Sequence, residues 1–416
     1  MLLSRSSLLL SLPFVVLVAC DDAASNGTPD APDTSAPDTT TVEETGTPEE
    51  TSTPEETATP EEVTPDVVEP KGLPILGNGS HSPASLMMDL LLDDSYSLSS
   101  PRDLAFNPDV AAGTSQLFVA DADMNMYVVT NPGTPNARVR AKSGLGSDHF
   151  MPAPVSLAFS NIGTFATAHE TDWITQDSTP ADFMGPTLWP TDSGDFDGGW
   201  ASHLDMLHNS PNAVGIAWDN ANAYWVFDGY HQSITFYDFQ KDHGPGGEDH
   251  SDGIIVRWVE GQVGYVPGVT SDMQLDHATG LLYIADSGNG RIAVLDTKSG
   301  SKGATIRPDY DGAQQYAWKD ATFRTLVDMK ALGGTVPSGL ALHDGKVFVT
   351  DNATSRVYAF ELDNGTPQTA PVDWMDLTSI IPAGNLGALT FDQEGRMVVL
   401  DVHGARVVRL AAPAAL

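Results

Sequence analysis

The chain is organised by a repeat whose clearest copy is VPGVTSDMQLDHATGLLYIADSGNGRIAVLD, residues 266–296. A proline-led turn feeds a short strand over 273–275, and a turn at 276–280 leads to an apolar strand over 282–285 that ends in Asp286. A tight turn then opens a third strand at Arg291. Two landmarks, a proline-led apolar strand and a later apolar strand ending in a turn residue, recur along the chain. They pair Pro101 with Asp121, Pro154 with His169, Pro211 with Asp228, Pro267 with Asp286, Pro337 with Asp351 and Pro382 with Asp401. Three copies keep an arginine five residues past the acid, at Arg291, Arg356 and Arg406. A meander this small cannot bury both of its faces alone, so the copies must stack on one another.

Six units predict an all-β, six-bladed β-propeller. The fourth unit (Asp286, Asn289, Arg291) and the fifth (PSGLAL, 337–342) resemble the NHL-repeat family of six-bladed propellers, over roughly residues 101–410. The resemblance implies a scaffold rather than a chemistry. The last unit ends at 406–410 without an outer strand, and SLMMDLLL at 85–92 precedes the first unit without a partner. A strand over 85–92 would complete the last blade and leave no open edge. A helix there is the local alternative.

Residues 1–20 read as an export signal, with Arg5 ahead of an apolar core and LVAC at 17–20. LVAC resembles a bacterial lipobox, which implies cleavage before Cys20 and lipidation of its thiol. Cys20 is the only cysteine in 416 residues, so disulfides and cysteine metal sites are excluded. Residues 21–81 read as a disordered tether rich in Thr, Pro and Glu, with fifteen acidic and no basic residues between Asp21 and Pro70. Extended at ~3.1 Å per residue, fifty such residues would reach roughly 150 Å. The propeller is expected over 82–416, held at the cell envelope by lipid and facing an envelope protein, glycan or small ligand. The formal net charge of −36 argues against nucleic acid as a partner.

Two segments read as insertions into the repeat. Residues 171–210 carry Trp173, Trp189 and Trp200 and suggest a packed cap over one mouth of the ring. Residues 297–336 hold six of the chain's 20 basic residues. Histidines concentrate nearby, in His203 and His208 and in the run DHGPGGEDHSD at 242–252. Its glycines and proline let His243 and His250 converge. His203, His208, His243, His250 and Asp252 are therefore candidate ligands for a divalent metal, zinc where imidazoles dominate and calcium where carboxylates do. The bland alternative is a set of hydrogen-bonding loop histidines. His169, which takes the acid's place in the second unit, has either lost a turn acid or gained a base. A second candidate site is the central shaft, where Arg102, Asp103, Asn212, Asp272 and Asn385 follow the proline landmarks and suit a small polar ligand or a cation. Peptidyl-amidating lyases, which are NHL-like, place zinc-binding histidines directly after the blade proline, and this chain has none there. Calcium-dependent lactonases of six-bladed form use acids and amides around the shaft, which Asp103, Asp272, Asn212 and Asn385 could supply. No nucleophile elbow, Walker loop or dinucleotide fingerprint is present. The sequence thus supports a binding or scaffolding propeller, with a metal-dependent hydrolase or lyase, its site at the shaft or under 171–210, as the alternative.

Overall fold

The computed structural model describes residues 72–123, 125–142, 151–181, 183–192 and 203–413. Cys20, residues 21–71 of the expected tether and Trp200 lie outside these residues. The last part of the expected tether, 72–81, is instead ordered on the propeller: Leu76 is buried in the seam of blades 5 and 6, and the Leu73 amide donates to Asp373. Six sheets form the blades of a propeller, each with four antiparallel strands and one with two more. Blade 1 comprises Pro101–Phe106, Gln116–Asp121, Asn125–Thr130 and Arg138–Lys142. Blade 2 comprises Pro154–Phe159, Thr164–His169, Thr187–Pro190 and Asp205–Met206. Blade 3 is built from Ala213–Asn220, Ala223–Asp228, Ser233–Asp238 and Ile254–Trp258, and blade 4 from Met273–Asp276, Leu281–Asp286, Arg291–Asp296 and Phe323–Asp328. Blade 5 is Pro337–His343, Lys346–Asp351, Arg356–Glu361 and Asp373–Asp376. Blade 6 has Leu386–Phe391, Met397–Asp401 and Arg406–Ala411, and its fourth strand is Met87–Leu92, paired antiparallel with Arg406–Ala411. The N-terminal strand therefore closes the ring, and the helical alternative for 85–92 falls. Arg409 bonds Asp89 at 2.7 Å across that junction.

Packing explains why the copies must stack. Six buried apolar clusters lie one in each seam between neighbouring blades. Within Leu281–Asp286, Leu282 and Ile284 enter the seam with blade 3, whereas Leu281, Tyr283 and Ala285 enter the seam with blade 5. Successive side chains of a strand point to opposite faces. With both faces buried, the strand reads as an unbroken apolar run.

The turn acids are clasps. In three blades the landmark proline stands directly opposite the landmark residue, as Pro101 with Asp121, Pro154 with His169, and Pro337 with Asp351. Asp121 accepts from the Ser99 and Ser100 amides and Asp351 from Val336, just ahead of their inner strands, and Asp286 accepts from Gly264 in the segment that leads to its own. His169 fills the same slot with inverted polarity: its Nδ1–H donates to the Pro152 carbonyl at 2.8 Å and its Nε2 accepts from Thr167 Oγ1 at 2.9 Å. It is fully buried, and burial pushes its pKa down to about 4. Arg291 and Arg406 bond their own blade's acid, but Arg356 turns to Asp376 at 3.5 Å instead.

Both expected insertions turn out to supply blade strands. Within 171–210, Thr187–Pro190 and Asp205–Met206 are the outer strands of blade 2; Trp189 is buried in the seam with blade 1, and Trp173 is 67% exposed. Within 297–336, Phe323–Asp328 is the outer strand of blade 4. Before it, Ser301–Thr305 and Gln314–Lys319 form a hairpin that crosses to blade 3, where Gln314–Lys319 pairs parallel with Ile254–Trp258. These outer strands lack a strong apolar alternation, because they lie at the rim and cover only one side well. Of the basic residues there, Lys298 donates to Thr279 O and Arg324 to Gly365 O, while Lys302 lies over the Tyr316 ring.

Candidate metal centre

The crossing hairpin and the blade 2 rim bring the sequence's histidine-rich segments together. His203 precedes the last strand of blade 2 and is 6% exposed. His243 and His250 lie on the loop between the third and fourth strands of blade 3. Gly244 takes φ 73°, in the left-handed region that glycine tolerates, and a Cβ on Gly247 would stand 2.6 Å from His243 Nδ1. The glycines of the 242–252 run thus let the loop fold tightly over its own histidine. The three rings converge, with centres 5.2 Å apart for His203 and His243, 5.0 Å for His243 and His250, and 6.1 Å for His203 and His250. Nitrogens about 2.1 Å from a tetrahedral zinc ion would hold ring centres roughly 5.3 Å apart. One candidate ligand nitrogen from each ring lies within 4.8 Å of the others. Tetrahedral nitrogens would be about 3.4 Å apart, so an ion would draw the rings inward by about 1 Å.

Two of the rings are oriented from behind. His250 Nδ1–H donates to Asp205 Oδ1 at 2.8 Å, and His243 Nδ1–H donates to the Gly244 carbonyl at 2.6 Å. Each bond fixes the tautomer with the Nε2 lone pair free, the arrangement that metal-ligating histidines take from carboxylates and carbonyls. His243 Nε2 is buried and has no hydrogen-bond partner among the described residues. Burial raises the Asp205 pKa, against the opposing bond from His250. For His250, burial works against the charged ring, yet the bond and charge of Asp205, with Asp311 and Asp249 nearby, leave its pKa raised.

His208 stands beside this cluster, its ring centre 6.2 Å from that of His250. Its own amide and its Nδ1–H both donate to Asp311, at 2.8 and 2.7 Å. Asp311 belongs to the hairpin that crosses from blade 4. Asn209 holds the same segment through Pro308 O and Gln315 Oε1. Asp252 is exposed and accepts from the Lys241 amide, apart from the three rings. Asp205 stands out in the sequence as an acid beside His203, but its pairing with His250 does not, and Asp311 was not anticipated: the partners lie 45 and 103 residues apart.

The shaft set divides. Asp103 and Asp272 line one cavity of 220 Å³ with Gln274, His343, Thr390 and Asp392. Asp103 accepts from the Leu104 and Leu157 amides and from Ser156 Oγ, and Asp272 from the Met273 and Leu340 amides, so each ties its blade to the next. Burial pushes Asp103 up to about 6 and Asp272 well above the usual carboxylate range, where the charge of Asp103 adds to the burial. Arg102 turns instead to Glu170 at 2.7 Å, Asn385 bonds Asp401, and Asn212 occupies a turn with φ 51°. Thr270 Oγ1 lies 3.0 and 3.1 Å from the Arg102 and Val155 carbonyls, and Ser338 Oγ donates to Thr270 O. One residue of blade 4 thereby joins blades 1, 2 and 5 across the shaft.

No protein-family model and no curated protein matches the chain. Among solved structures it is similar to an auxiliary nutrient binding protein from Bacteroides ovatus, at 12% identity and a TM-score of 0.46, over 79% of this chain and 76% of that one. It is likewise similar to a luciferin-regenerating enzyme, at 10% identity and a TM-score of 0.47 over 79% and 96%. Virginiamycin B lyase from Staphylococcus aureus is similar at 12% and 0.44, over 78% and 98%.

Proposed function

We propose that this chain is a lipid-anchored, NHL-like propeller of a bacterial cell envelope that holds a divalent transition metal at the rim of blades 2 and 3. It serves there as a binding module for a protein, glycan or small ligand. The observation that carries the metal reading is the convergence of His203, His243 and His250, with His243 and His250 pinned through Nδ1. An all-imidazole set favours zinc or copper over calcium, which takes oxygen ligands. LVAC at 17–20 and the acidic segment after it support the anchor. A metal-dependent hydrolase is the second reading, favoured by a set of three ligands among the described residues, which would leave a tetrahedral ion one position for water.

Elemental analysis of the untagged full chain tests the metal. About one zinc per chain is expected, lost in His243→Ala/His250→Ala and kept in Asp103→Asn/Asp272→Asn. A folded chain that takes up no zinc from a buffered zinc solution refutes the reading.

A further inference from the structure

His208 carries an unmet hydrogen bond that the metal reading by itself leaves unexplained. Asp311 accepts at both of its oxygens, one from the His208 amide and one from Nδ1, so Nδ1 bears a hydrogen and, in the neutral ring, Nε2 carries the lone pair. That Nε2 is buried without a partner among the described residues, and the residue is 4% exposed. A buried acceptor needs a donor. Water on a metal ion lies about 2 Å from it and donates over about 2.8 Å, so its acceptor belongs roughly 4–5 Å from the ion. A ring centred 6.2 Å from the His250 ring is within reach of that place.

We propose that His208, held by Asp311, accepts the hydrogen bond and then the proton of a water on the metal's open position, and that the rim site hydrolyses neutral carboxylic esters. This rests on the metal reading above. In the step, the water's O–H proton passes to His208 Nε2 as the oxygen bonds the carbonyl carbon and the C=O pair moves to its oxygen. Collapse breaks the ester C–O bond, and the departing alkoxide takes the proton back from His208. Ester and water become acid and alcohol, and the ring ends as it began. The charge around the site selects the substrate: Asp205, Asp311 and Asp249 all lie close enough to act on His250. Their negative charge disfavours phosphate esters and other anionic substrates.

The test uses the zinc-loaded full chain with 4-nitrophenyl acetate, and His208→Asn, whose side-chain amide can still donate to Asp311 but offers no Nε2. Zinc-dependent hydrolysis is expected in the parent chain, with a fall of about 100-fold in His208→Asn at unchanged zinc content. Loss of zinc in His208→Asn makes His208 a ligand and overturns its role here. Hydrolysis by zinc-loaded parent that His208→Asn leaves unchanged overturns that role as well. A zinc-loaded parent that hydrolyses nothing overturns the activity while the metal reading stands; a parent that binds no zinc overturns both. The cobalt-substituted parent needs no variant. A visible spectrum that shifts when azide is added shows the open position, and a spectrum indifferent to azide refutes it.

Discussion

His169 makes the propeller's stability depend on pH in a way that a single substitution isolates. The ring is buried and neutral. Its Nδ1–H goes to Pro152 O, its Nε2 accepts from Thr167 Oγ1, and Thr167 Oγ1 accepts in turn from Trp189 Nε1 at 2.8 Å. A proton on Nε2 would displace the hydrogen bond that the Thr167 hydroxyl donates, in a site closed to solvent. A base whose pKa is lowered by folding binds fewer protons folded than unfolded, so its contribution is complete above the unfolded value of 6.5 and is lost as pH falls toward about 4. At ~1.4 kcal/mol per pH unit this is worth about 3 kcal/mol. Asp103 acts oppositely over nearly the same window. Its pKa is raised from 3.8 to about 6, so its contribution is present below 3.8 and lost as pH rises through 6. The parent chain alone would therefore give a deceptively flat profile. The informative quantity is the difference between the parent and His169→Gln in urea unfolding from pH 4 to 7, in which Asp103 and the surface charge cancel. The parent's advantage should shrink by about 3 kcal/mol on going from pH 7 to 4. Parallel curves would refute a buried neutral imidazole at this position.

Arg291 bonds the buried Asp286 at 2.7 Å and also donates to Gln262 O and Thr325 Oγ1. Arg291→Ala should thus cost about 1.5–3 kcal/mol in chemical denaturation. Arg356→Ala, whose Asp376 partner is 3.5 Å away and as exposed as itself, should cost no more than about 1 kcal/mol; equal losses would contradict the division of the two arginines. At the closing strand, Leu92 is buried between blades 6 and 1. Leu92→Ala should lower stability by about 2–5 kcal/mol, measured by urea unfolding, and a neutral change would mean that the strand contributes little to closing the ring.

What the sequence disclosed follows from where its chemistry is local. The inner strands and turn acids are legible because each blade buries both faces of its first two strands and pins its turn within one repeat, as Pro337 and Asp351 do. The closing strand was legible from bookkeeping of edges, since the sixth unit lacked a fourth strand. Blade 2's last strand, Asp205–Met206, spans two residues, too short for any alternation to be seen. The crossing hairpin was hidden because its pairing is parallel and links distant segments. At the candidate metal site, the histidines advertised themselves by density, whereas Asp205 and Asp311 are ordinary acids until the fold brings them to a ring. In the shaft, Asp103 and Asp272 face inward, while Arg102, one residue earlier, pairs with Glu170, a distinction that landmark spacing alone does not make.

The crossing hairpin also fixes where the ring could be cut. A propeller closed by its own N-terminal strand has termini that meet in one blade, so its chain could be rejoined there and reopened at another seam with every strand pairing intact. Between blades 3 and 4 the seam has a second tie, because the chain leaves blade 4, adds Ser301–Thr305 and Gln314–Lys319 to blade 3, and returns as Phe323–Asp328. A chain reopened there would keep its two end blades joined by main-chain strand pairing, whereas at the other seams no strand of one blade pairs with the next among the described residues.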